Sequence, residues 1–540
     1  MASVPANSIT LISSGLADTR LLAPRGNPNP AQFLKVLHKT TRYAAAWSRV
    51  DFDGAPEFGQ RVSLTLPRIG QLISGVTIAI TMPDIYATQL RAIQAAGGTS
   101  LDLSGKFLGP LYGWTNSLGH AVIQQIELEI GGTVVETFDS RLLEILDELY
   151  EPVEALHSKN AMICRATHGF GARTWLSSTP TQLFIPIPFW FSKRGVYGNA
   201  LPIQALTSDV VRIHVTLRPL EQLVYTEARV DARTVGYREG TDTVDGMWGF
   251  LGGRFWRSAA AAPGRVYSMD ASTPAVGISG ELIPDISRPL RLSPIDAYAL
   301  VEYIHLEEYE AMLYRSGELT YHVEQHVAVP TQNTNGVTEM RLMLPYTNPT
   351  KELLWVFQRP EAETYNAWFL FTRDLTPYVP PRPIQNPPIA DLPDPRSPCL
   401  TPWWPDADLN PTADRRWQVR PGFLTAYSEP FAGAMLMYNS IERCVHEGGS
   451  FFRGVVPSRY YTKPALINRY VYAYSFGLKS AAAAPFGMAN WDKIPRKELY
   501  ITLNAGRRGV SPPALNMYLY VTTWNVFKVF GGRGGMLFTS

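Results

Sequence analysis

The sequence predicts an all-β protein built as two β-sandwiches in tandem. Two observations carry that prediction. Strand-length runs of alternating apolar and polar residues recur along the chain, in two series of seven or eight. The composition agrees: 540 residues include 43 Pro and 42 Gly with 11% aromatics, which suits short strands joined by many turns. A hydrophobic content of 45% and a length of this order allow two or more packed cores.

In the first series, Arg61 to Leu66 alternates and stops at Pro67, and Leu72 to Met82 is a β-branched run stopped by Pro83. The stretch from Gly113 to Leu149 is the richest. Ile126, Leu128 and Ile130 alternate with Glu127 and Glu129, giving a strand with one buried face. Gly131-Gly132 can supply the positive φ angles of a two-residue hairpin, and Thr133 to Phe138 alternates again. Leu142, Leu143, Ile145, Leu146 and Leu149 then fall at helical spacing, with Arg141, Glu144, Asp147 and Glu148 between them. Leu183 to Phe191, Val210 to Leu217 and Ala297 to Leu306 read as further strands, and EEYEAMLYR after them as a short helix. The second series is Leu319–Val329, Glu339–Leu344, Leu353–Phe357, Ala434–Tyr438, Arg469–Phe476, Leu499–Leu503 and Met517–Val529. AMLMYNSIERCVHEGGSFFRGV echoes IELEIGGTVVETFDSRLLEI: strand, tight turn, polar strand, helix-like segment.

Two long stretches lack strand periodicity. Residues 221–296 are rich in Gly, Ala, Arg and acids, and residues 377–421 hold thirteen of the prolines, including PPRP and TPWWP. Loops of this length run over surfaces and are often functional, and these are expected to project from one end of the sandwiches.

A formal charge of +2 argues against a dedicated nucleic-acid binder. Residues 1–50 are locally basic, with Arg20, Arg25, Lys35, Lys39, Arg42 and Arg49 against Asp18. That reads as a solvated arm or as a contact for an acidic neighbour. Cys164, Cys399 and Cys444 are odd in number and far apart, so zinc ribbons and dithiol motifs are excluded and a reducing compartment is expected. MASVPANSITLISSG lacks the basic segment and apolar core of a signal peptide, no apolar run is long enough to span a membrane, and Asn348 and Asn410 are each followed by Pro, which removes the common glycosylation sequon.

Six segments in order resemble the major capsid proteins of the nucleocytoplasmic large DNA viruses: FGQRVSLTLPRIGQLI, the GWTNSLGHAVIQQIELEIGG block, FIPIPFWFSKRGVYGNALPIQAL, KELLWVFQRP, YSFGLKSAAAAPFGMANWDK and the closing NVFKVFGGRGGMLFTS. The chain departs from the family pattern at Phe486 after Pro485, and at Asp492-Lys493. The resemblance implies two eight-stranded jelly rolls, with long surface loops and a few short helices. It divides the chain into an arm (1–30), a first jelly roll (31–306), a linking helix (307–316) and a second jelly roll (317–540). It also implies a homotrimer that forms a pseudo-hexagonal capsomer of an icosahedral shell, made and assembled in the host cytoplasm. The expected partners are neighbouring capsomers, minor capsid and penton proteins, and an internal membrane or its proteins reached by the basic arm. Sequence-specific nucleic-acid binding is not expected. The alternatives are a carbohydrate-binding or glycosidase jelly roll, which would need two carboxylates across a cleft, and a capsid protein of a smaller double jelly-roll virus or virophage.

No catalytic, cofactor or metal site is expected. His322, Glu324 and His326 share one strand face in YHVEQHVAVP, but the spacing is not that of a zinc protease, and a polar or inter-subunit face explains them. Gly531–Gly535 lacks the phosphate-loop pattern and reads as a bulge or close approach. His120 reads as a structural hydrogen-bonding group, and Glu307, Glu308 and Glu310 as the solvated face of the linking helix.

Overall fold

The computed structural model describes residues 42–83, 111–165, 181–193, 197–227, 275–276, 282–283, 294, 296–364, 366–373, 377–378, 422–423, 429–465, 469–482, 485–504 and 512–538. The arm 1–30 and most of the two long stretches lie outside them.

Eight strands build the first sandwich: β1 (Tyr43–Asp51), β2 (Arg61–Thr65), β3 (Leu72–Met82), β4 (Ile123–Ile130), β5 (Thr133–Asp139), β6 (Thr181–Pro186), β7 (Val211–Leu217) and β8 (Asp296–Leu306). Eight more build the second: β9 (Leu319–Ala328), β10 (Glu339–Met343), β11 (Thr350–Gln358), β12 (Phe431–Tyr438), β13 (Ile441–Gly448), β14 (Tyr472–Ser475), β15 (Lys497–Leu503) and β16 (Asn516–Phe530). A last strand, β17 (Arg533–Met536), folds back on β16.

The sheets of the first sandwich run β1-β8-β3-β6 and β2-β7-β4-β5. Those of the second run β9-β16-β11-β14 and β10-β15-β12-β13. Adding eight to each label of the first pair gives the second, so the two sandwiches have one topology. It is the double-sheet jelly roll, in which long connections place first and last strands side by side.

The alternating residues set the registers. Ile126 pairs with Val215 and Leu128 with Ile213 in the first sandwich, and Leu436 pairs with Leu499 in the second. The inward side chains Ile78, Ile80, Ile126, Leu128, Leu183, Ile185, Ile213 and Val215 are buried. The second core is aromatic: Phe431 packs 4.6 Å from Tyr472 and 5.9 Å from Trp355, ring to ring. The sequence echo is an echo of structure. Gly131 and Gly132 turn β4 into β5 with φ of 59° and 84°, and Asn439 and Ser440 turn β12 into β13 with φ of 50° and 67°.

Several expectations are corrected. The strand expected over Leu183–Phe191 ends at Pro186, where Pro186 and Pro188 cannot donate to a ladder. Strand β1 was not anticipated, because nearly all of it is exposed and it lacks alternation. Residues 221–296 are not wholly without strands: Val224–Glu227 pairs with Leu111–Trp114. At the ends of the proline-rich stretch, Pro377–Tyr378 pairs with Gly422–Phe423, so the segment leaves and returns at one place. The linking helix covers Glu308–Ser316, with Glu307 and Glu308 exposed and Tyr309, Met312 and Leu313 exposed as well.

Candidate functional site at the seam between the sandwiches

Helix α1 (Ser140–Tyr150) follows β5 directly. The Asp139 carboxylate caps it, accepting from the Leu142 N–H at 2.7 Å. The leucines predicted for one face are buried against the first core. The polar face of an amphipathic helix ordinarily meets solvent. Here it does not: Glu144, Asp147 and Glu148 are all buried. The reason is that the second sandwich covers them.

Each acid has found a cation. Glu144 Oε2 lies 2.7 Å from His120 Nδ1 and 2.6 Å from Arg165 Nη2, and Glu144 Oε1 lies 3.4 Å from Arg469 of the second sandwich. Asp147 pairs with Arg165 and with Lys159 at 2.5 Å. Lys463, from the second sandwich, donates to the Glu148 carbonyl at 2.6 Å and reaches its carboxylate at 3.2 Å. Burial alone would raise these carboxyls. Instead Arg165, His120 and Arg469 hold Glu144 well below the usual range, and Arg165 and Lys159 hold Asp147 at about 2. Burial of His120 in this pair makes it structural.

A second cluster involves β9. Glu324 accepts from Lys193 of the first sandwich and lies 2.8 Å from Lys351 on β11. Desolvation opposes its charge, but the two lysines outweigh it and hold it at about 2. His326 Nδ1 lies 3.1 Å from Glu136 Oε1 on β5. Burial and Lys193 depress His326 to about 3, while burial pushes Glu136 well above the carboxylate range. Both shifts favour the uncharged forms of the pair. Beside it, Gln325 donates to the Val135 carbonyl at 3.0 Å. The third member of the H-x-E-x-H run, His322, is exposed and points its carbonyl at Asn199. One strand face does carry all three residues, but lysines already neutralise Glu324. Among the described residues no group of three His, Cys, Asp or Glu side chains could hold a metal ion.

Further contacts extend the seam. Tyr150 and Tyr461 both donate to Glu352, the latter at 2.6 Å. The helix-capping Asp139 also accepts from Tyr520 at 2.7 Å. Arg141 bonds Gln358 at 3.0 Å and stacks 4.0 Å over the Tyr518 ring. At one edge the Gly531–Gly532 hairpin docks on the first sandwich: Ser208 N–H donates to the Gly532 carbonyl, and Gly534 N–H to Asp209 Oδ2. The GGRGG run is thus a hairpin turn followed by a close approach. A Cβ on Gly534 would lie 2.7 Å from Leu206.

The arrangement holds two bodies in one relative pose. It brings cations, acids and hydroxyls together in close pairs. Sequence reading named Glu144, Asp147, Glu148, Glu324 and His326 but not their partners Arg165, Lys193, Lys351, Lys463 and Arg469. A signal existed for one of them. Thr350–Gln358 is apolar on both faces over LLWVF, so a strand buried on both sides should have buried Lys351 and Glu352 too.

Comparison with known proteins places this geometry in a family. Residues 31–247 match the family described as "Major capsid protein N-terminus", and residues 310–535 the one described as "Large eukaryotic DNA virus major capsid protein". The chain is 22% identical to the major capsid protein of Phaeocystis pouchetii virus, over 98% of this chain and 99% of that protein. It is equally identical to "Probable capsid protein 4" of Acanthamoeba polyphaga mimivirus, again over 98% and 99%. Among solved structures, the PBCV-1 virus capsid protein superposes with a TM-score of 0.60 at 18% identity, covering 94% of this chain and 100% of that one. The Faustovirus major capsid protein superposes with 0.60 at 10%, covering 98% and 97%.

Proposed function

Because the chain belongs to the major capsid protein family of the large eukaryotic DNA viruses, we propose that three copies of it form one pseudo-hexagonal capsomer of the shell. The protein is a structural component of the virion capsid and not an enzyme. The observation that carries the trimer is the repeat of one topology in two sandwiches fixed in one pose. Three such pairs present six equivalent blocks, which is what a near-hexagonal tile requires.

Native mass determination of the purified chain tests it. The expected result is a particle of three 60.1 kDa chains. A folded sample that stays monomeric at micromolar concentration overturns the reading.

Finer roles belong to the same proposal. The division at residues 30, 306 and 316 separates arm, first jelly roll, linker and second jelly roll. The basic arm meets acidic partners inside the shell, the membrane surface or minor capsid proteins, through screened electrostatics. Deleting residues 2–25 is then expected to leave folded trimers that attach poorly to the shell. Shells of normal stability from the truncated chain count against the arm. The stretches 221–296 and 377–421 face outward, with limited proteolysis of intact trimers cutting there first.

A further inference from the structure

We infer that the cluster around Glu324 and His326 is a binding site for ordered water, and that this water is a structural part of the joint between the two sandwiches. The site is built from both sides of the seam. Pairing of β9 with β16 places Trp524 opposite Glu324 and Thr522 opposite His326, so these four side chains share one face of the second sandwich. That face meets the first sandwich. Lys193 bonds Glu324, Glu136 lies beside His326, and Tyr520, two residues from Thr522 on the same face, bonds Asp139. Glu136, Glu324, His326, Lys351, Thr522 and Trp524 are all buried.

Three polar atoms of this cluster have no hydrogen-bond partner among the described residues: Glu136 Oε2, Thr522 Oγ1 and Trp524 Nε1. Lys351 adds a fourth group with capacity to spare. Its ammonium carries three donors, meets Glu324 Oε1 at 2.8 Å and stands 5.6 Å from the centre of the Trp524 ring. Buried polar groups are rarely left unpaired, and those that protein atoms do not reach are completed by internal water. The chemistry here selects water over an ion. Trp524 Nε1 only donates, Thr522 Oγ1 donates or accepts, and Glu136 Oε2 accepts when ionised and can donate when protonated. Water matches any combination of these. A metal cation does not suit a site where Lys193 and Lys351 already bring two positive charges to Glu324. A buried water needs about two to four polar partners, which this cluster supplies. Glu136 belongs to the first sandwich and the other unpaired atoms to the second. The water therefore bridges the two bodies at the place where their direct ion pairs stop.

Thr522→Val in the full chain tests this, because valine keeps the shape and the branch at Cβ and deletes only the hydroxyl. In a dry site the substitution removes an unmet polar group and raises the melting temperature. In a hydrated site it takes a partner from bound water and lowers it. The expected result is a lower melting temperature than wild type. A map of the wild-type protein, from crystals or electron cryo-microscopy at a resolution that shows water, gives a second reading that does not depend on how the variant folds. Density is expected within hydrogen-bond distance of at least two of Glu136 Oε2, Thr522 Oγ1 and Trp524 Nε1. A variant that melts at or above the wild-type temperature overturns the inference. So does a map in which protein atoms fill the space between these groups. Neither outcome bears on the trimer, which stands or falls by native mass.

Discussion

Arg165 shows how much a single side chain can carry. It is buried and neutralises Glu144 and Asp147 together. Replacing it with Met leaves two carboxylates without their main cation, and the expected loss is about 3–5 kcal/mol in denaturant unfolding. Lys528 and Glu318 are both about half exposed, so Lys528→Ala should cost less than about 1 kcal/mol in the same assay. Glu324 and Glu136 make a sharper pair. Glu324→Gln strands Lys193 and Lys351 in a dry site and should be strongly destabilising. Burial pushes the Glu136 carboxyl towards its neutral form, so Glu136→Gln should cost much less than Glu324→Gln in the same assay. Acid should act through the same residues. Asp147 and Glu324 sit at about 2 in the fold, so their contribution is full above about pH 4.5 and is lost as the pH falls towards 2. His326 sits at about 3, so the unfolded chain takes up that proton first, and stability declines from about pH 6.5 downward. Glu136 acts in the opposite sense, because its raised carboxyl favours the fold at low pH. Between about pH 6.5 and 4.5 these two effects oppose one another, so the melting temperature should fall chiefly below about pH 4.5, where Asp147 and Glu324 lose their contribution, and His326→Gln should leave the Glu136 effect unopposed, with stability rising as the pH falls through that range.

At the level of elements, the hairpins and α1 were legible because their signals are local. Gly131-Gly132, the alternating glutamates and the leucines at helical spacing each specify geometry within a few residues. Strand β1 was not legible, since its alternation is absent wherever neither face is buried. The seam was half legible. Glu144 and Glu148 fit an amphipathic helix, and nothing near them in sequence says that Lys463 and Arg469, some three hundred residues on, will cover them. The C-terminal hairpin gives a test at this scale. Gly532 has φ +81° and its Cβ would collide with Thr207, so Gly532→Val should lift β17 from the first sandwich. The readout is faster amide exchange over residues 533–538 with the aromatic core of the second sandwich unchanged. Slow exchange throughout would show that the hairpin is held by other contacts.

At the largest scale one topology is used twice, and the joint between the two uses combines buried ion pairs with apolar contacts such as Trp190 against Phe527. Buried ion pairs add little net stability, because desolvation offsets much of the attraction between charges. Those ion pairs alone would make a weak joint between separate molecules. Here the short helix Glu308–Ser316 runs between β8 and β9, and a short connection keeps its partners at an effective concentration in the millimolar range. Covalent connection therefore lets the joint select one pose through exact charge pairing without also supplying the affinity. Cutting the chain within that helix should release the two halves at low micromolar concentration, and ionic strength should sharpen the separation. A contact between separate copies has no such tether. It must be concentration-dependent from the outset, so the proposed capsomer would form only once enough protein had accumulated.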